Sequence, residues 1–245
     1  IKTMINVLVP MAGKGSRFSD AGYKKPKPFI EVLGKTMIER VLENLFCENV
    51  RYILIAQEEH LHQEKDLVSR IKNDYPVEFV PINGITEGAA CSALFARKYI
   101  NNSNPLVIAN SDQIIDINFQ KFIDDSLERQ LDGSIMTFTD PFSDEKWSFA
   151  ALGEDLLVKE VEEKKAISDQ ATVGIYMFNK GSLFVDSAID MMVRNERTNN
   201  EFYVCPVYNF CIEQGARIGI YNIDYDNMHG LGTPDDLNHY LDLKA

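Results

Sequence analysis

Val9-Pro10-Met11-Ala12-Gly13-Lys14-Gly15-Ser16-Arg17-Phe18 follows directly on the apolar run 5–9, and Lys24-Lys25-Pro26-Lys27-Pro28 comes soon after. A β-branched run that ends in Gly-x-Gly reads as a buried strand delivering a loop whose backbone can approach a ligand closely. Further β-branched runs occur at 52–56, 105–109, 133–137 and 172–178. Between the first three, helical spacing appears at 36–46, where Met37, Ile38, Val41, Leu42 and Leu45 share one stripe, and again at 88–99. Strands that alternate with helices predict a mostly parallel sheet covered on both faces. After about residue 130 strand-like segments follow one another before a helical stretch at 180–194, which predicts an α+β elaboration on the same sheet. No repeat, low-complexity tract or linker divides the chain, so 1–245 reads as one domain with halves at about 1–130 and 131–245.

The loop carries the chemistry. Between residues 14 and 27 stand five basic side chains, Lys14, Arg17, Lys24, Lys25 and Lys27, and one acid, Asp20, a local charge of +4. The whole chain of 245 residues has a net charge of −12, which opposes general affinity for nucleic acid or anionic membrane. Positive charge gathered beside a Gly-x-Gly turn points to an anion held by backbone N–H groups and cations, as phosphates are. The dinucleotide fingerprint needs a third Gly, where Phe18 stands, and an acid near Gln57 at the end of the second strand. A Walker loop is excluded too, since no Gly-Lys-Ser/Thr follows the required spacer.

With 45% hydrophobic and 25% charged residues the composition is that of a folded domain. The cysteines Cys47, Cys91, Cys205 and Cys211 form no Cys-x-x-Cys pair and read as buried thiols. No apolar run approaches the ~20 residues of a membrane span. The opening segment 1–10 is too soon interrupted for a signal peptide, so a cytoplasmic location is expected, with the native start upstream or at Met4.

Gly13-Lys14-Gly15-Ser16-Arg17-Phe18, Pro26-Lys27-Pro28 and Gly34-Lys35-Thr36-Met37-Ile38 together resemble the signature region of the sugar-phosphate nucleotidylyltransferases. Thr86-Glu87-Gly88-Ala89-Ala90, Asn110-Ser111-Asp112-Gln113, Glu162-Glu163-Lys164, Gly174-Ile175-Tyr176 and Gly232-Thr233-Pro234-Asp235-Asp236-Leu237 continue the resemblance through most of the chain. It implies a Rossmann-like α/β fold, a mixed and mostly parallel sheet with helices on both faces of the nucleotidyltransferase or GT-A-like kind, with an α+β acceptor-binding half. It implies an enzyme that transfers NMP from an NTP to a small acceptor and releases pyrophosphate, with Mg²⁺, or Mn²⁺ in its place, as cofactor. Nucleotide-binding roles fall on Met11, Ala12, Gly13, Lys14, Gly15, Ser16, Arg17, Lys27, Asn83, Gly88, Ala89 and Ser111, and catalytic roles on Arg17, Lys27 and Asp112. Asp112 is the implied metal ligand, and Trp147, Glu163 and Lys164 face the acceptor. Partners are then the NTP and the small acceptor, with neither nucleic acid nor membrane, and a homo-oligomer is compatible.

Departures from the family pattern fall in the acceptor half. Where relatives have a second metal-binding Asp, this chain has Gly230, with Asp224, Asp226 and His229 nearby, and Asp226 is the expected substitute. Lys165 replaces the usual Pro, and Trp147-Ser148 stands for a Tyr-Gly turn. Pro10-Met11 and Asn110-Ser111-Asp112-Gln113 resemble a subgroup associated with capsule gene clusters, among them cytidylyltransferases with unusual acceptors such as glutamine. Two other readings compete: a glycosyltransferase with its metal at Asp224 and Asp226, and a non-catalytic nucleotide-binding relative. The histidines His60, His62, His229 and His239 show no ligand spacing.

Overall fold

Ile5–Pro10 (β1) is buried at every position up to Val9, so both its faces are covered, as in a sheet with a layer on each side. In the computed structural model, which describes residues 3–245, the main sheet continues with Val50–Gln57 (β2), Val77–Ile82 (β3), Leu106–Ala109 (β4), Gly133–Thr139 (β5), Ser148–Leu152 (β6), Val158–Glu163 (β7), Gln170–Phe178 (β8) and Ile218–Ile223 (β9). The order across it is β7-β6-β8-β4-β1-β2-β3, with β5 also paired to β8 and β9 paired to β5. From β4 through β1 and β2 to β3 all neighbours are parallel. β8 runs antiparallel to β4, β5 and β6, which makes the sheet mixed.

Alternation along the parallel strands feeds two cores. Val7, Val9, Tyr52 and Leu54 join the helix Met37–Asn44 on one face, while Leu8, Ile53 and Ile55 meet the helices Ala89–Leu94, Gly181–Val193 and Val207–Glu213 on the other. Thr36 starts the helix Met37–Asn44 with a capping box, its side chain accepting from the Glu39 N–H while Glu39 reaches back to the Thr36 N–H. Such a cap stabilises a helix by about 1 kcal/mol.

The predicted helix over 88–99 is interrupted. Phe95 and Ala96 donate to carbonyls three residues back, and Arg97 Nη1 donates to the Leu94 carbonyl, so a tight turn separates Ala89–Leu94 from Arg97–Ile100. The strand β3 escapes the sequence reading because it is an edge strand with Pro81 in it and only Val80 and Ile82 buried. The helix Val207–Glu213 starts directly after Pro206.

One irregularity places the site. The pairing of β8 with β5 shifts register between Thr172 and Tyr176, a bulge that bends the strand and re-aims its side chains. At that bulge the Asn110 N–H donates to the Gly174 carbonyl at 3.1 Å, bringing the end of β4 against the middle of β8.

Candidate active site

The carboxyl ends of β1 and β4, the bulge of β8 and the segment 228–236 enclose a cavity of about 630 Å³. Clefts outside the carboxyl ends of parallel strands are where open α/β sheets place ligands.

The first loop leaves the cavity wall at Pro10 and packs back against Lys27. Gly15 has a left-handed backbone (φ 60), and a Cβ there would lie 3.1 Å from the Lys27 Cβ, so glycine lets the loop lie against the turn Lys27–Phe29. The packing aims Lys27 inward, where its Nζ sits 2.5 Å from Asp112 Oδ2. Lys14 and Arg17 are exposed and, among the described residues, have neither a hydrogen-bond nor an ion-pair partner. Two uncompensated cations beside a glycine turn form an anion-receptive surface.

Gln57, at the end of β2, fixes this loop to the next one. Its Nε2 donates to the Ala12 carbonyl at 2.6 Å and to the Gly84 carbonyl at 2.8 Å, and its Oε1 accepts from the Gly84 N–H at 3.1 Å. The loop 83–88 is clamped at its far end by Phe202, whose N–H donates to the Glu87 carbonyl and whose carbonyl accepts from the Ala90 N–H. Gly88 makes this approach feasible: at φ 129 a Cβ would lie 2.5 Å from the Phe202 oxygen.

Asp112 follows β4 and is covered by the C-terminal segment. The strand Gln113–Ile115 pairs with Met228–Gly230, and the Leu231 N–H donates to the Asp112 carbonyl at 2.7 Å. Met228 and Gly230 line the cavity, whereas His229 pairs with Asp116 at 2.6 Å, as alternation along a strand requires. Asp236, in the first turn of the helix Pro234–Lys244, also lines the cavity.

At the far wall stand Trp147, Ser148, Glu163, Tyr176 and Tyr203. Trp147 packs edge-on against Phe138 at 5.0 Å, so it belongs to core and cavity alike. Lys164 has a left-handed backbone (φ 57), donates its N–H to the Trp147 carbonyl at 3.1 Å and holds its Nζ 5.7 Å from the Tyr203 ring centre. Burial pushes the Glu163 carboxyl above its ordinary range, against the opposing pull of the Lys164 ammonium and a hydrogen bond from Ser148. Beneath it Ser148, Thr172 and Tyr176 form a buried ring of hydroxyls.

Of the residues singled out from sequence, Ala89, Ser111, Asp112, Trp147 and Glu163 line the cavity. Met11 to Arg17 follow Pro10, which lines it; Lys27 reaches it through Asp112; Asn83 and Gly88 precede Ala89; and Lys164 follows Glu163. Asp224 and Asp226 are exposed and do not line it. Sequence reading missed Gln57, whose role rests on contacts 45 and 27 residues away, and Asp236, which stood inside the quoted Gly232-to-Leu237 motif. Among the described residues no group of three His, Cys, Asp or Glu side chains is placed to hold a metal, and no helix is long and apolar enough to cross a membrane.

A family model described as nucleotidyl transferase matches residues 7–208. No protein of curated function matches the chain. Among solved structures, the nucleoside-diphosphate-sugar pyrophosphorylase from Vibrio cholerae RC9 superposes with a TM-score of 0.82 at 23% identity, over 96% of this chain and 99% of that one. A candidate glucose-1-phosphate thymidylyltransferase from Bacillus anthracis gives 0.76 at 17%, covering 98% and 94%. The inositol-1-phosphate CTP transferase from T. maritima gives 0.72 at 15%, covering 99% and 95%. At these identities the likeness is one of fold.

Proposed function

The chain belongs to the nucleotidyl transferase family and is a nucleotidylyltransferase, and on that premise we propose that it transfers CMP from CTP to a small acceptor for a capsule or surface-polysaccharide precursor. The observation that carries this reading is the Gly15 turn, which bears the unpartnered cations Lys14 and Arg17 and packs against Lys27, whose ammonium meets Asp112 in the wall of a cavity that also contains Trp147 and Glu163. Cytosine is favoured because the motif wording around Pro10-Met11 and Asn110-Ser111-Asp112-Gln113 resembles the capsule-associated subgroup.

The acceptor oxygen attacks the α-phosphorus in line and pyrophosphate leaves, so the residues need to position groups and neutralise charge rather than form bonds. Arg17 can hold two phosphate oxygens with its planar fork, and Lys27 supplies a point charge. Gly13, Gly15 and the loop 83–88 offer backbone groups to the nucleotide. Glu163 and Lys164 orient the acceptor, with Trp147 packing on its body. Hard carboxylate oxygens in a water-accessible cavity suit Mg²⁺, which keeps most of its shell from water and phosphate. Asp112 would hold it; when bound, it would neutralise charge on the α-phosphate.

The test is pyrophosphate release by the purified chain with each of the four NTPs, Mg²⁺ and a panel of small acceptors. We expect acceptor-dependent release, fastest with CTP. No release with any pair, together with hydrolysis of an NDP-sugar, overturns the reading.

A further inference from the structure

Glu163 on β7 stands directly opposite Ser148 on β6, and Ser148 donates to its carboxyl. Behind Ser148 stand Thr172 and Tyr176 of β8, and the three residues are 5%, 3% and 8% exposed. On a regular strand Thr172 and Tyr176 would lie about 13 Å apart. The bulge, turned by Gly174 at φ 92, and the length of the tyrosine side chain instead bring the Tyr176 hydroxyl to 2.9 Å from Thr172 Oγ1 and 3.2 Å from Ser148 Oγ. Thr172 Oγ1 also meets Ser148 Oγ. All four residues line the cavity, so this buried cluster is part of the acceptor wall itself.

Counting protons orders the cluster. A carboxylate only accepts, and each hydroxyl has one proton to give. Ser148 gives its proton to Glu163, so Thr172 must supply the proton between Thr172 and Ser148. Tyr176 must then donate to Thr172, and it remains a donor because burial pushes its phenol well above the ordinary range. The contact left without a proton of its own, Ser148 to Tyr176, is the longest of the three between hydroxyls. The dipoles therefore all point toward Glu163, and in such a chain each hydrogen bond polarises the next.

The charges around the carboxyl oppose one another. Lys164, next on the strand, favours the carboxylate, whereas burial and Glu201, to which the Tyr203 hydroxyl donates at 2.8 Å, disfavour it. Cys205, hydrogen-bonded to Ser148 and Tyr176, stays a thiol because burial suppresses its ionisation, with Glu163 and Glu162 adding to that effect. Lys146, on the same wall, is engaged by Asp144 at 3.4 Å.

We propose that Ser148, Thr172 and Tyr176 are positioning residues, a one-way chain of donors from Tyr176 through Thr172 and Ser148 that holds Glu163 as an oriented carboxylate at neutral pH. This rests on the reading above that Glu163 orients the acceptor, and it names what keeps Glu163 in the state to do so. With Ser148 on the carboxylate, its remaining lone pairs are left for the acceptor, which must bring an O–H or N–H to this point.

The experiment is a pH titration of the full chain labelled with carboxyl-¹³C glutamate, followed by nuclear magnetic resonance, the Glu163 signal being the one that vanishes in Glu163→Gln. Ser148→Ala should raise the Glu163 midpoint by about one pH unit, as loss of a hydrogen bond to a charged group does. Thr172→Val and Tyr176→Phe, which remove only the hydroxyls behind it, should each raise the midpoint by about a third of that. Thr172→Ser keeps the hydroxyl and should titrate as wild type. A cluster ordered the other way, with Glu163 as the donor, would give lowered midpoints instead. A midpoint unchanged or lowered in Ser148→Ala, or in both Thr172→Val and Tyr176→Phe, overturns the proposal. The reading beneath it is judged separately: pyrophosphate release by Glu163→Gln, with CTP, Mg²⁺ and the acceptor panel, should fall by about tenfold or more, and release equal to wild type overturns the role of Glu163. Circular dichroism of each variant separates folding defects from these effects.

Discussion

Replacing Gln57 tests whether the loops at Ala12 and Gly84, proposed above to hold the nucleotide, are held as one unit. The side chain makes three hydrogen bonds, to the Ala12 carbonyl at 2.6 Å and to both backbone groups of Gly84 at 2.8 and 3.1 Å. At a net ~0.5–1.5 kcal/mol each, their full loss would cost about 1.5–4.5 kcal/mol. Gln57 is only half-buried, so in Gln57→Ala water reaches the freed groups and about 1–2 kcal/mol is expected. Gln57→Glu keeps the shape but turns a carboxylate oxygen toward two carbonyl oxygens, adding repulsion to the loss of two donors. It should therefore be less stable than Gln57→Ala by about 1 kcal/mol or more, an inversion of what size alone predicts. Urea denaturation measures this, with the slope m unchanged if only stability has moved. Loosening the loops should also weaken binding of an NTP analogue by roughly tenfold for each ~1.4 kcal/mol of lost preorganisation. A Gln57→Glu variant as stable as wild type, or a Gln57→Ala variant with undiminished nucleotide affinity, would refute the reasoning.

Arg17→Ala should lower turnover by about two orders of magnitude, the usual effect of removing charge stabilisation of a transition state, with thermal stability unchanged because the side chain has no partner to lose; turnover near wild type would count against it. Glu163 has a carboxyl raised by burial, so its folded form holds the proton more tightly than the unfolded chain and stability falls as pH rises from the ordinary carboxylate range through the raised value. Glu163→Gln should accordingly melt higher than wild type near neutral pH, the gap narrowing in acid, while acceptor KM rises; a gap that widens in acid sinks the argument. Gly88→Ala should destabilise by about 2–4 kcal/mol from backbone strain and disturbance of the hydrogen bonds with Phe202, and a denaturation midpoint close to wild type would show that the clamp yields freely.

What could be read from the sequence was whatever repeats locally. The run 5–9 and its glycine turn announced a buried strand and a ligand loop because burial on both faces writes itself as a nearly continuous apolar stretch, interrupted here only by Asn6. The stripe from Met37 to Leu45 was visible as well, because one buried helix face recurs at helical spacing, whereas the Thr36 cap is a finding of the structure. The edge strand β3 was not, since it faces solvent in part and carries Pro81, and the break after Leu94 depends on Arg97 reaching a carbonyl that periodicity does not show. Within the site, Lys27 and Asp112 were both singled out, yet nothing in the sequence signals that these residues, 85 positions apart, touch. The same limit explains Asp226 and Asp236: in sequence each is one acid near Gly230, and only the turn between Met228–Gly230 and the helix Pro234–Lys244 brings one of them to the cavity.

The strand β8 has a consequence for any attempt to divide the molecule. Its residues Ile175 to Phe178 pair with β4 of the first half, while the same strand pairs with β5 of the second. A fragment ending near residue 130 would leave the fully buried Leu106–Ala109 with one bare row of N–H and C=O groups and apolar side chains on both faces. Such an edge is a template for self-association. Split reporters or pieces expressed separately are therefore expected to form aggregates unless they are cut elsewhere or produced together, because the 1–130 segment borrows from the rest of the chain the strand that keeps its own sheet closed.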